Sequence, residues 1–219
     1  MEETAVLLGW VGFAAALIVS ASDVILLGRH DEFARYYGKP SPMIGFPFWR
    51  INVGNWLGVI FIPLVILGFA PLWLAFEQAS RFEQIISVGG FSYFFAMGGA
   101  GHAATAFSGV PFRAAARQAV NDRDTGTEAV IAEQSKLFAA LAKALSLVLL
   151  TASVVFSTSV LSGRTALPFW VGLINPFVLM FAARYSHKWL PRQVGGYLSP
   201  VNVYVGFVPL IALTTILRQ

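Results

Sequence analysis

Two ionisable side chains stand where a chain this apolar can least accommodate them. Asp23 lies in Ser20-Ala-Ser-Asp23, and His102 in Gly98-Gly-Ala-Gly-His102. Both fall inside long runs with almost no other charge. Polar groups in hydrocarbon are costly, so they face a bundle interior or a cavity and mark function by default. A carboxyl in a poorly hydrated site is a candidate acid or proton carrier. An imidazole flanked by glycine and alanine has room around it to act as general base, hydrogen-bond donor or lone metal ligand. The competing reading is structural in each case: an interfacial ion pair for Asp23 and an interhelical hydrogen bond for His102.

Arg50, Asn52 and Asn55 open the second apolar run, in Phe48-Trp-Arg50-Ile-Asn52-Val-Gly-Asn55. A spacing of three puts the two asparagines on one helical face. Buried amides need partners, and a ligand can supply them. Arg50 offers a clamp for a phosphate or carboxylate headgroup. A Trp–Arg pair at a span boundary is equally an interfacial anchor. Pairing of Arg50 with Asp23 would make the carboxyl a fixed anion. Asn202 and Tyr204, near the start of the last run, complete the polar set. Lys143 reads as a snorkelling lysine.

The elements that must position these residues are six apolar stretches, at about 5–27, 51–76, 85–107, 137–161, 167–185 and 200–216. Ser199 and Pro200 read as N-cap and first residue of the last helix. Asn175-Pro176 reads as a kink, because an internal proline removes a helix bond and clashes with the carbonyl of Gly172. Thr127-Glu128 reads as a helix start, so the fourth helix should extend beyond its span. Residues 108–136 then form a cytoplasmic loop plus that extension. The 1–2 loop holds Arg29, His30, Asp31, Glu32, Arg35 and Lys39. The fold expected is an all-α, polytopic bundle of six transmembrane helices in one domain, 1–219.

Only three of the fifteen Lys and Arg residues, Arg81, Arg164 and Arg218, fall at the termini and in the 2–3 and 4–5 loops. The positive-inside rule then predicts a multi-pass protein of the cytoplasmic (inner) membrane with both termini on the non-cytoplasmic side. It also gathers Asp23, Arg50, Asn52, Asn55, His102, Asn202 and Tyr204 near the cytoplasmic leaflet.

Composition supports the class and narrows the chemistry. Of 219 residues, 57% are hydrophobic and 12% charged, against roughly 25% charged in a soluble domain. There is no cysteine, which removes disulfides, thiolate nucleophiles and Cys-ligated metals. Three histidines, with only His102 intramembrane, disfavour bis-histidine haem, clustered zinc and di-iron centres. No metal and no cofactor is expected. The net charge of +4 is explained by membrane orientation, and nothing else supports nucleic-acid binding. A phosphate-cradling Gly-rich loop, an Asp-rich prenyl-diphosphate motif and a Gly-x-Ser-x-Gly elbow are all missing. The last run has no lysine for a retinal Schiff base.

Several short motifs recur in order: Ser22-Asp23, Arg50 with Asn55-Trp-Leu-Gly58, Gly101-His102-Ala, Gly163-Arg-Thr165, Pro168-x-Trp170 and Asn175-Pro176. In that order, over the whole chain, they resemble a family of small six-span bacterial integral membrane proteins of unknown function. The resemblance implies the fold and no activity. A looser likeness, by analogy only, is to small integral-membrane isomerases and terpene cyclases, which use buried carboxylates on lipophilic substrates.

The leading expectation is a cofactor-independent membrane enzyme of isomerase, cyclase or hydratase type. Asp23 and His102 would be its acid–base pair, and Arg50, Asn52, Asn55, Asn202 and Tyr204 would hold a lipophilic small molecule presented by the membrane lipids. The alternatives are a small proton-coupled transporter with an Asp23–His102 relay, and a non-catalytic binding or assembly subunit. The small-residue face around His102 suits intramolecular packing or a homo-oligomer.

Overall fold

The computed structural model describes residues 1–28, 47–118, 125–198 and 200–219, and every regular element among them is helical. Helix α1 spans Glu2–Leu27. Helix α2, Phe48–Leu67, is continued after a break at Gly68-Phe69 by α3, Ala70–Ala75. A one-turn α4, Arg81–Gln84, runs through a π-helical turn, Ile85–Gly89, into α5, Gly90–Gln118. Then comes α6, Thr125–Leu161. A 3-10 turn at Phe169–Leu173 leads to α7, Pro176–Tyr185, and another at Ser186–Lys188 leads to α8, Arg192–Leu198, and α9, Asn202–Ile216.

Runs of Leu, Ile, Val and Phe with no polar face make helices that are apolar all round, as in membrane spans. Among the described residues, three segments are long and apolar enough to cross a membrane: Glu2–Leu27, Phe48–Ala75 and Ala139–Leu161. The pair α8 and α9, bent by 78°, adds a fourth if it counts as one span. Leu7, Leu17, Trp56, Ile60, Leu147 and Val154 all project outward. So extensive an apolar surface fits a lipid environment.

Six separate spans are not resolved, and the reasons are local. The 167–185 stretch is not one kinked helix. Asn175 is the N-cap of α7, its Oδ1 accepting from the Val178 N–H at 3.2 Å, and Pro176 is the first helical residue. Pro176 therefore starts a helix and has no Gly172 carbonyl to clash with. At 10 residues, α7 reaches about 15 Å, half a bilayer core. Similarly, α9 begins at Asn202, so Pro200 precedes the helix instead of opening it. Ser199, and the 1–2 loop residues Arg29 to Lys39, lie outside the described residues. In the other direction, α5 continues past Phe107 to Gln118. Apolar character runs out near Ser108, but the backbone bonds of a helix do not require it.

Antiparallel packing of α1 on α2 sets the register. Leu26 lies against Gly54, and Gly12 against Gly68. Helix α5 packs on α2 and α6, and α9 on α1 and α7. Between them lies an aromatic core. Phe207 meets Phe95 at 4.8 Å and Phe91 at 5.1 Å between ring centroids. Phe69 joins the same three rings, and Phe76 stacks on Phe156. Such pairs contribute about 0.5–1.5 kcal/mol each beyond their burial. This core divides the bundle into two polar ends. The end of α1, the start of α2, His102 and the start of α9 share one. The other holds both termini, joined by Arg218 and Glu2, and the Ala75–Ala166 backbone bond.

Candidate functional site

Four helices converge at the first polar end. The buried stripe of α2 is Ile51, Gly54, Asn55, Gly58, Ile62 and Val65. Small residues at 54 and 58 let two neighbours approach its backbone. One is α1, whose Ser22 and Leu26 are buried. The other is the His102 ring of α5. A Cβ added at Gly58 would collide with Nε2 and Cδ2 of that ring, so only glycine permits the contact.

His102 bridges the two helices. Its Nδ1 lies 3.3 Å from Asp23 Oδ1, and its Nε2 lies 3.1 Å from the Gly54 carbonyl oxygen. Both side chains are largely enclosed, 10% exposed for His102 and 14% for Asp23. A carbonyl oxygen only accepts, so Nε2 must carry a proton. Nδ1 faces a carboxyl, and two lone pairs cannot face each other favourably. One further proton therefore sits between Nδ1 and Oδ1, on one atom or the other. The pair is a net-neutral unit holding one shared proton. The second carboxyl oxygen, Oδ2, accepts no hydrogen bond from the described residues.

Tyr204, 5% exposed, lies within electrostatic range of Asp23 and packs on Phe95 at 5.8 Å. Asn55 is buried, and its Oδ1 and the Ser22 hydroxyl are enclosed without partners among the described residues. Such orphaned groups each cost about 1–3 kcal/mol and call for a reason.

Not every sequence candidate joins this cluster. Asn52 is exposed: residues three apart differ by about 60° around a helix, and the stripe on Gly54 and Gly58 is too narrow to hold both asparagines. The Arg50 Nε donates to the Ile25 carbonyl at 2.8 Å and ties the start of α2 to the end of α1. The ion-pair partner of Asp23 is thus His102 and not Arg50. Asn202 is half-buried in the first turn of α9, and Lys143 is exposed on α6. Among the described residues, no three His, Asp or Glu side chains gather as a metal site.

A second polar cluster, at the opposite end, was not singled out from the sequence. Glu83 Oε2 accepts from the Ser80 N–H at 3.0 Å and the Ser80 hydroxyl at 2.8 Å. Its Oε1 accepts from the Ser159 hydroxyl at 2.9 Å and pairs with Arg164. The two Ser80 bonds dominate in holding its carboxyl below the usual glutamate range, outweighing burial, with help from Ser159 and the Arg164 charge. Two local signals were available. Ser80-x-x-Glu83 is a capping box. Gly163, at φ +69°, ends α6 in a left-handed turn, with Gly163 N–H donating to Val160 and Arg164 N–H to Ser159. That turn folds Arg164 back over the helix end.

The comparisons with known proteins support a family of unknown function and add no activity. No curated protein and no solved structure matches the chain. A family model described as "Family of unknown function (DUF6796)" matches residues 1–198, from α1 through α8. The chain belongs to this family of unknown function, DUF6796.

Proposed function

We propose that this is a six-span protein of the cytoplasmic membrane, with both termini on the non-cytoplasmic side, that transfers protons on a lipophilic small molecule at Asp23. The observation that carries the reading is the asymmetry of that carboxyl. Oδ1 is held by His102, while Oδ2 faces no donor among the described residues. With the shared proton on Nδ1, Oδ2 is a base backed by an imidazolium. It can take a proton from one carbon or oxygen of a bound molecule and return it to another, as isomerisation or cyclisation requires. Tyr204 and Asn55 would hydrogen-bond a polar head, and Arg50 stands five residues before Asn55 in the first turn of α2. The orientation rests on the bias of Lys and Arg toward one set of loops.

The aromatic core ranks the transporter reading lower. A proton carrier needs polar groups leading on from Asp23–His102, and the next layers are Phe95, Phe207, Phe91 and Phe69. One observation favours a second reading, that of a binding or assembly subunit. The His102 Nε2, the atom a catalytic imidazole would present to substrate, is tied to Gly54. In that case the pair only locks helices.

Mass spectrometry of apolar molecules that co-purify with the protein tests the proposal. A discrete compound enriched over bulk lipid, and changed in Asp23→Asn, is expected and gives a substrate to assay. Full turnover by Asp23→Asn would remove Asp23 from the chemistry. Bulk phospholipid alone in every sample would favour the assembly reading.

A further inference from the structure

The polar cluster at the opposite end takes no part in that chemistry, yet it forms a cleft. The cleft has a volume of about 360 Å³ and is lined by Ser80, Phe82, Glu83, Val154, Val155, Thr158 and Arg164. It is large enough for a small polar group with the first atoms of a tail. Its walls differ in kind. Phe82 and Val154 are 69% and 51% exposed, so the mouth opens on the apolar outer face of the bundle and not into its core.

The polar wall has one unspent resource. Both Glu83 oxygens are occupied, by Ser80, Ser159 and Arg164. The Thr158 hydroxyl donates to the Val154 carbonyl, and the Ser80 hydroxyl to Glu83. Arg164 is different. One Nη1 proton goes to Glu83 and the Nε proton to the Ser162 hydroxyl. Its other guanidinium N–H groups meet no protein acceptor among the described residues, and its side chain is 48% exposed. A guanidinium fork with open donors fits a tetrahedral oxyanion.

Position along the bilayer normal decides between anions. Arg164 follows directly on the candidate span Ala139–Leu161, so it stands at the level of the headgroups. Trp73, under the Arg81 guanidinium, and the exposed Phe169 and Trp170 lie at the same end, as aromatic residues do at membrane interfaces.

We propose that this cleft holds the phosphate of a phospholipid on Arg164, with the start of an acyl chain along Phe82 and Val154. The site is independent of Asp23 and His102.

Native mass spectrometry of the full chain in detergent tests it, with dioleoylphosphatidylglycerol as probe and dioleoylglycerol as the control lacking phosphate. Wild type should retain one copy of the phospholipid and little of the control. Val154→Trp fills the cleft without touching the Glu83–Arg164 pair and should weaken retention about tenfold, as should Arg164→Gln. If Arg164→Gln does not fold, Val154→Trp decides alone. Equal retention of probe and control, or undiminished retention by Val154→Trp, would overturn the proposal. Displacement by millimolar inorganic phosphate would also overturn it, since the site would then read a free anion.

Discussion

The Nε2 edge of the His102 ring packs against Gly58 so closely that no room is left there for even one methyl group. Helices α2 and α5 are locked by shape at the same point where His102 Nε2 meets the Gly54 carbonyl. Gly58→Ala should therefore destabilise the protein by about 1–3 kcal/mol, the usual cost of overpacking. The loss should shrink when His102→Ala is combined with it, because the colliding ring is gone. Unfolding in detergent, read as a double-mutant cycle, measures this. Purely additive losses would mean that the two residues do not meet.

Asp23 can be tested for folding and chemistry separately. In Asp23→Asn, an amide N–H can donate to a neutral Nδ1 while Nε2 keeps its proton for Gly54. Both ring nitrogens stay satisfied, and thermal stability should stay near wild type. Asp23→Ala leaves the enclosed Nδ1 without a partner while Nε2 keeps Gly54, and should cost about 1–3 kcal/mol. Asp23→Ala with His102→Ala should recover part of that. If Asp23→Asn proves as unstable as Asp23→Ala, the shared-proton account of the pair is wrong.

Much of this end was legible because charge inside an apolar run shows at the level of residue types. Asp23 and His102 are visible that way, and alternating passage through a membrane brings their ends together. Asn52 was not resolved by such reasoning. Its spacing from Asn55 permits a shared face, but the width of the buried stripe is set by Gly54 and Gly58 against neighbours that lie far away in sequence. Asn175-Pro176 reads as a kink from sequence, and hydropathy is blind to what the structure shows instead, a helix start. Glu83 falls in the short stretch between two apolar runs and does not stand out by residue type. Its burial depends on Ser159, 76 positions away, and on the turn at Gly163, neither of which a local window contains.

The aromatic core should be the most sensitive apolar region. Phe207 is fully buried and touches Phe69, Phe91, Phe94 and Phe95. In a bilayer its value lies in close contacts more than in release of water. Phe207→Ala should cost about 3–5 kcal/mol, and Phe207→Leu clearly less. Equal losses would indicate that ring–ring packing is not what holds α9 in place.

Glu83 lies outside the candidate spans, so its titration can be followed in buffer. Its folded pKa is held below the ordinary 4.5, chiefly by the two Ser80 hydrogen bonds. The sign follows from linkage. A depressed carboxylate contributes stability that is fully present above its unfolded pKa. That contribution fades as the pH falls through the folded value. Wild type should thus lose thermal stability below about pH 4.5 more steeply than Glu83→Gln, and the two should run parallel from pH 6 to 8. Parallel curves down to pH 3 would show that Glu83 is not anchored by Ser80, Ser159 and Arg164.

Gly163 connects that anchor to the backbone. At φ +69° it occupies the left-handed region, where a Cβ is strained although open space surrounds it. Gly163→Ala should cost about 1 kcal/mol from the backbone alone. If the turn also aims Arg164 at Glu83, the substitution should shift the acid limb measured for wild type toward that of Glu83→Gln. Loss of stability with an unchanged acid limb would mean that Arg164 finds Glu83 without the turn, and that Gly163 serves only to end α6.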